Sequence, residues 1–235
     1  MSIDRVGAGA VVVIGGTAGI GRELAAEYVG RGEAVVLSGR DAARAAKVAE
    51  DLGGDARGIG VDLSEPETIA GALSDIGPVA RLVITAIERD VNHIADYDRL
   101  RAQRLVTLKL VGYAETVHVL RERFTPNASV VLFGGLAKER PYDGSTTVST
   151  VNGGVTGMMH TLACELAPVR VNALHPGIVG DSPYWLGKPL DAVIQRTPIG
   201  RLVTMAEVVE ATLFLLECGG MNGVDLNVDG GWLLR

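Results

Sequence analysis

An α/β fold, a doubly wound parallel sheet of about seven strands with helices on both faces, is predicted by three observations on this chain. Short β-branched runs alternate with longer helical patterns along its whole length. The first such run passes straight into a glycine-rich turn and then a helix. No internal repeat, low-complexity tract or Pro/Ser-rich linker interrupts the alternation, which reads as one domain over residues 1–235.

The buried-strand runs fall at 10–14, 34–38, 58–61, 79–85, 129–133, 169–174 and 224–228. Between them lie helical patterns at 19–31, 41–52, 65–76, 99–123, 148–167 and 205–217. Strand and helix in alternation mean crossover connections and a parallel sheet, and right-handed crossovers place helices on both faces. The least regular segment is 180–198, rich in Pro, Gly and aromatic residues, and it reads as a mobile loop.

Composition excludes some classes. Hydrophobic residues make up 47% and charged residues 21%, as in ordinary globular proteins. The net charge of −6 comes without a basic run, which argues against a nucleic-acid partner. Cys164 and Cys218 read as small buried thiols of a reducing compartment, and the four histidines show no metal-ligand spacing. Neither a signal peptide nor an apolar run long enough to span a bilayer is present, so a cytoplasmic protein is expected.

Gly15, Gly19 and Gly21 follow the first strand with the spacing G-x-x-x-G-x-G. Glycines there permit a tight strand-to-helix turn and a close approach by a pyrophosphate, to which the helix N-terminus offers free N–H groups. On the first strand of an alternating chain this reads as the dinucleotide turn of a Rossmann-type fold, against the alternative of a plain glycine-rich turn. The second strand ends Ser38-Gly39-Arg40 with no carboxylate at the strand end itself. Arg40, helped by Ser38, can pair with a 2′-phosphate, so NADP(H) is preferred over NAD(H). The alternative is an arginine on the solvated start of a helix.

With these residues in place, the chain closely resembles the short-chain dehydrogenase/reductase family over nearly its whole length. The resemblance rests on the glycine turn, on Asp62-Leu63 after the third strand, and on Pro176-Gly177 after the sixth. It rests also on Pro198-Ile-Gly-Arg-Leu202 and Asp229-Gly230-Gly231 near the C-terminus. It implies cofactor contacts from Gly15, Thr17, Gly19, Ile20 and Gly21 at the turn. Further contacts come from Asp62, Leu63 and Ala86, and from Pro176, Gly177 and Ile178. It also implies hydride transfer on carbonyls or alcohols, a small-molecule substrate and a homodimer or homotetramer.

Four family positions are changed. Val148 stands where the proton-donating Tyr belongs, Asn152 at the Lys position, Gly135 at the Ser position and Lys109 at the Asn position. Lys and Asn have thus exchanged helices, which keeps an ammonium and an amide if both face the site. Otherwise Lys109 is a surface lysine and Asn152 a packing residue. Lys109 and Asn152 are therefore the candidate catalytic pair, sharing one hydrogen-bond network. Tyr142, in the loop before the fifth long helix, is the first choice of proton donor, with a surface tyrosine as the alternative. Ser145, Thr146, Thr147 and Ser149 offer hydroxyls to bind substrate, Ser149 first among them. Tyr184 and Trp185 in 180–198 are suited to cover an apolar ligand or to pack in a subunit interface. Asp181 replaces a cofactor-contacting Thr, for which Ser182 is the substitute, and His175 reads as structural.

The resulting expectation is an NADP(H)-dependent oxidoreductase with an atypical proton-handling site, acting on a small hydrophobic carbonyl, alcohol or enone. Two alternatives are a catalytically silent NADP(H)-binding sensor or accessory subunit, and a non-redox lyase or isomerase.

Overall fold

The structure, a computed structural model, describes residues 9–235. Its seven strands are β1 (Ala10–Ile14), β2 (Val35–Gly39), β3 (Ala56–Gly60), β4 (Val79–Ile84), β5 (Phe124–Phe133), β6 (Arg170–Pro176) and β7 (Asp225–Val228). They form one sheet in the order β3-β2-β1-β4-β5-β6-β7, and every pairing is parallel. The expected seven-stranded, doubly wound sheet is what the chain forms.

Parallel strands buried on both faces need apolar residues at every position, and β1 shows why. Val12 and Ile14 enter one core layer with Leu82, Ile84, Val130 and Leu132, while Val11 and Val13 enter the other with Leu37, Val83 and Val131. The first layer is covered by α3 (Pro66–Ala72), α5 (Gly112–Leu120) and α6 (Thr146–Glu165). The second is covered by α1 (Gly19–Gly30), α2 (Ala42–Leu52) and α8 (Met205–Glu217). Local signals fix several starts. Asp41 caps α2 by accepting from the Arg44 N–H, and Thr204 with Glu207 forms a reciprocal capping box on α8.

The pattern at 99–123 predicts one helix, but the chain there is not uniform. It runs as α4 (Arg99–Val106), a wide π turn over Thr107–Val111, α5, and a short 3₁₀ turn at Arg121–Arg123. A Cβ on Gly112 would lie 2.2 Å from the Leu63 carbonyl oxygen, so the helix passes against the β3 loop at backbone distance. The wide turn carries Lys109 on its buried side, which apolar periodicity does not anticipate. Inside 180–198 the chain also forms α7 (Asp191–Arg196). The expectation of two buried thiols is corrected: Cys164 is exposed and Cys218 half-buried, because Cys164 falls on the outer side of α6.

Candidate active site

Strand order reverses between β1 and β4, and in open α/β sheets ligands bind in the crevice outside the carboxyl ends of the strands at such a point. The turn out of β1 is built for that crevice. Gly15 and Gly19 take φ of +94° and +54°, a region L side chains rarely enter. A Cβ on Gly21 would lie 2.3 Å from the Gly15 carbonyl oxygen, so helix and turn meet with no room for a side chain. The Gly15 N–H donates to Ser38 Oγ at 3.4 Å, and Thr85 Oγ1 donates to the Gly15 carbonyl at 3.1 Å. Ala18, the N-cap of helix α1, makes no side-chain cap, and the first turn holds no acidic residue. Its leading N–H groups therefore lack a side-chain acceptor and its positive dipole end is uncompensated. That donor set fits the pyrophosphate of a dinucleotide.

Thr17 packs on Gly39, where an added Cβ would lie 2.7 Å from Thr17 Cγ2, so the turn and the β2 end are locked together. Ile20 packs on the second core layer. Arg40 is mostly exposed, with Glu88 4.0 Å away. Glu88 also accepts from Arg104 Nε at 2.9 Å, and Arg104 reaches Asp62 at 3.6 Å. Four alternating charges thus line the end of β2 and β3. Burial works against the Asp62 charge, but hydrogen bonds from Ser64 and the Arg104 and Arg40 charges hold its carboxyl below the usual range. Leu63 is buried in the core, and its carbonyl oxygen packs against Gly112. At the end of β6, Gly177 lies so close to β7 that a Cβ would be 3.1 Å from Asp229 Cα. Pro176 and Ile178 flank it.

Lys109 is 2% exposed. Its ammonium donates to Tyr113 Oη at 2.6 Å and to the Phe133 carbonyl at 2.5 Å. Tyr113 Oη in turn reaches the carbonyls of Ala86 at 2.9 Å and Ile84 at 3.2 Å. The pair therefore ties the ends of β4 and β5 together from beneath. Burial lowers the Lys109 pKa to about 7 and raises that of Tyr113. The surface-lysine alternative is excluded. The expected hydrogen-bond network shared with Asn152 does not form, because the Phe133 carbonyl and Tyr113 take up the ammonium. Asn152 is buried on α6 and faces Gly135 instead: a Cβ there would lie 2.9 Å from its Nδ2.

His175 is fully buried, and burial lowers its pKa to about 4, so it is neutral near pH 7. Its ring fills the space over Gly134, where a Cβ would lie 2.3 Å away. Its Nε2 approaches Asp225 Oδ1 at 2.5 Å, but out of line for a hydrogen bond. Asp225 Oδ2 accepts from Lys138 and from Thr156, both at 3.1 Å. Lys138, which the sequence leaves without a role, is therefore a largely buried ion-pair residue.

Three loops meet at the mouth of the crevice. Tyr142 is 54% exposed, its backbone N–H donates to Ser145 Oγ, and that hydroxyl shares a 2.9 Å bond with Ser149 Oγ. The phenol that partners the Lys109 ammonium is Tyr113, not Tyr142. Tyr184 and Trp185 stack edge to face at 4.8 Å. Pro183 lies 3.9 Å from where a Gly19 side chain would begin, so 180–198 sits against the glycine turn. Asp181 accepts from the Met205 N–H and Ser182 donates to the Val179 carbonyl, so both side chains serve the loop's own backbone. The Ser182 hydroxyl, donating to Val179, keeps its oxygen lone pairs as acceptors.

A family profile described as enoyl-(acyl carrier protein) reductase matches residues 15–233. The chain belongs to the short-chain dehydrogenase/reductase family. Carbonyl reductase family member 4 of Danio rerio is 31% identical over 228 residues, spanning 94% of this chain and 96% of that protein. The crystal structure of a putative betaketoacyl-ACP reductase is 28% identical, with a TM-score of 0.86 over 97% of this chain and 98% of that one. A relative of Xanthobacter autotrophicus is described as an inactive 2-(S)-hydroxypropyl-CoM dehydrogenase; it is 27% identical, over 88% of this chain and 98% of that protein. Short-chain dehydrogenase/reductases bind nicotinamide cofactors, act on small molecules and are commonly oligomeric.

Gly135 leaves room for the Asn152 amide, and the Lys109 ammonium is held on the Phe133 carbonyl. The sequence reading missed Tyr113 and Arg89. The i,i+4 spacing of Lys109 and Tyr113 was a usable signal for the first. Arg89 sits in a loop without periodicity and carries no such signal.

Proposed function

We propose that this chain is an NADP(H)-dependent oxidoreductase acting on a small hydrophobic carbonyl, alcohol or enone within a single domain. Residues 180–198 form its substrate lid, and it works as a homodimer or homotetramer. The observation that carries this reading is the side-chain-free turn at Gly15, Gly19 and Gly21 leading into an uncapped helix. Arg40, exposed and with no carboxylate at the end of β2, favours a 2′-phosphate. Ser38 is buried and its Oγ accepts from the Gly15 N–H, so the help expected from Ser38 is corrected to a role inside the turn.

A nicotinamide held there supplies or accepts the hydride. The chain's own residues bind, orient and move the proton. Val148 cannot donate one, so that task is assigned to the Tyr142 phenol, whose backbone N–H donates to Ser145 Oγ, and to the Ser149 hydroxyl bonded to the same Ser145 Oγ. Lys109 acts as a positioning residue: it fixes the Phe133 carbonyl and, through Tyr113, the Ala86 carbonyl that borders the crevice. Asn152 directs its amide to the Gly135 side of the same floor.

Calorimetry with NADPH and NADH, followed by turnover on a panel of enones, ketones and alcohols, tests the proposal. NADPH binding about tenfold tighter than NADH, with turnover of at least one substrate, is the expected result. Equal affinities overturn the cofactor assignment. Tight NADPH binding with no turnover across the panel selects a silent sensor or accessory subunit, which the valine at 148 and the sealed Lys109 favour. Redox-neutral conversion of substrate selects the lyase or isomerase.

A further inference from the structure

Two cations sit on one aromatic ring at the mouth of the crevice. Arg89 Cζ lies 3.4 Å from the Tyr184 ring centroid and Lys188 Nζ 3.2 Å from it. Atoms that close to a ring centre stand over its faces, and two of them cannot share one face. Arg89 and Lys188 therefore sandwich Tyr184. Both also approach Trp185, at 5.4 and 5.0 Å.

Ring faces attract single cations, but two like charges drawn to one ring repel each other. Such repulsion is normally relieved by carboxylates, and none is supplied here. Among the described residues neither Arg89 nor Lys188 forms a salt bridge. The adjacent carboxylates are committed elsewhere: Asp90 to Arg101, Asp143 to His93, and Asp181 to the Met205 N–H. The ionisable groups that face Arg89 are the phenols of Tyr184 and Tyr142. These donate hydrogen bonds and add no negative charge at neutral pH.

We propose that Arg89 and Lys188, held on the two faces of Tyr184, form a clamp for the anionic end of the substrate, a carboxylate or phosphate ester whose apolar body rests on Trp185. This deepens the proposed function and rests on its assignment of 180–198 as the substrate lid. Arg89 comes from the loop after β4 and Lys188 from the lid, and the Tyr184 ring fills the space between them. An anion bound beyond the ring edge, within reach of the outward donors of both, therefore joins the two walls of the crevice. The guanidinium offers a fork of donors and the ammonium a point charge, a pairing suited to either oxyanion. The charge that binds the substrate is thereby kept away from the hydride-transfer centre.

Fluorescence of Trp185 tests this directly in a Trp232→Phe background, since the chain has two tryptophans. The protein is titrated with phenyl phosphate, with benzoate and with the neutral benzyl alcohol. Saturable quenching is expected from phenyl phosphate, benzoate or both, and which of them binds identifies the oxyanion. Benzyl alcohol should bind at least about tenfold more weakly, and Arg89→Gln or Lys188→Gln should each weaken the anion about tenfold. Added salt should weaken the anion alone. NADPH affinity, measured in the same variants, should stay unchanged and certifies that they fold. Equal binding of benzyl alcohol, anion binding unaffected by both substitutions, or loss of NADPH affinity in the variants would each overturn the clamp. Because the readout needs no turnover, absence of catalysis refutes the oxidoreductase reading while leaving this result standing.

Discussion

Lys109 Nζ lies 2.6 Å from Tyr113 Oη, one helical turn further on, and both groups are sealed beneath the carboxyl ends of β4 and β5. A charge in that place is costly, and the cost has a measurable pH dependence. The unfolded chain keeps this ammonium protonated up to its ordinary pKa of 10.5, whereas the folded chain releases the proton near 7. Between those values the unfolded state holds the extra proton, so stability should rise with pH across the window. Each pH unit contributes up to about 1.4 kcal/mol. Urea denaturation at pH 7 and pH 9.5 should show this rise in the wild type and a flatter profile in Lys109→Met. An identical profile in the variant removes Lys109 as its source.

Cofactor selectivity should respond to two residues in opposite directions. Arg40→Ala should lose about tenfold in NADPH affinity and leave NADH unchanged. Glu88 holds Arg104 at 2.9 Å and stands 4.0 Å from Arg40, so it competes with a 2′-phosphate for both guanidinium groups. Glu88→Gln should therefore raise NADPH affinity a few-fold, a modest gain because exposed ion pairs are weak. Calorimetry on the two variants checks both signs, and a loss of NADPH affinity in Glu88→Gln contradicts the competition.

Gly134 and His175 should behave as one unit. A methyl at 134 would meet the imidazole at 2.3 Å, so Gly134→Ala should cost about 1–3 kcal/mol by overpacking. In a His175→Ala background the same change should cost much less. Additive losses in the double-mutant cycle argue that the ring does not fill that space. His175 also carries an acid signature. Its folded pKa of about 4 lies below the ordinary 6.5, so the unfolded chain takes up the proton first as pH falls between those values. Stability contributed by the neutral ring is thus lost from pH 6.5 downward. The decline should be shallower in His175→Leu.

How far the residues announce these features depends on whether a local pattern encodes them. Strands and helices were legible because β1 is uniformly apolar and α8 carries its own capping box, both local properties. The glycine turn was legible because its chemistry is backbone chemistry, set by missing side chains at Gly15, Gly19 and Gly21. The π turn was not, since apolar spacing at 99–123 fits one continuous helix and a single added backbone step leaves no trace in it. Nor were the partners of Lys109 legible. They depend on where the Phe133 and Ala86 carbonyls end, a tertiary fact, and the alignment pointed to Asn152 instead. Arg89 and Lys188 lie almost a hundred residues apart in two irregular loops, and only the fold brings them to one ring.

Restoring the family's catalytic residues to this scaffold requires four coupled changes. Gly135→Ser alone should fail, since its Cβ would lie 2.9 Å from Asn152 Nδ2 and force the amide aside. Val148 and Asn152 stand one turn apart near the start of α6, and Val148 is only half-buried, so a tyrosine there has room toward the crevice. A lysine at 152 would then sit four residues after that tyrosine, where its charge lowers the phenol pKa. Lys109 must leave in the same step, because two ammonium groups packed around Phe133 and Gly135 would repel and undo that shift. The quadruple change Gly135→Ser, Val148→Tyr, Asn152→Lys and Lys109→Asn should therefore raise carbonyl reduction by NADPH about 10²-fold or more, the usual worth of a general acid. It should also introduce an alkaline limb in the pH–rate profile, set by the new phenol. Val148→Tyr alone should produce neither effect, because no lysine is then placed to acidify it. A quadruple variant that folds and binds NADPH yet reduces carbonyls no faster than the wild type would show that the crevice no longer presents a carbonyl to the nicotinamide face. The silent reading of this chain would then be the better one.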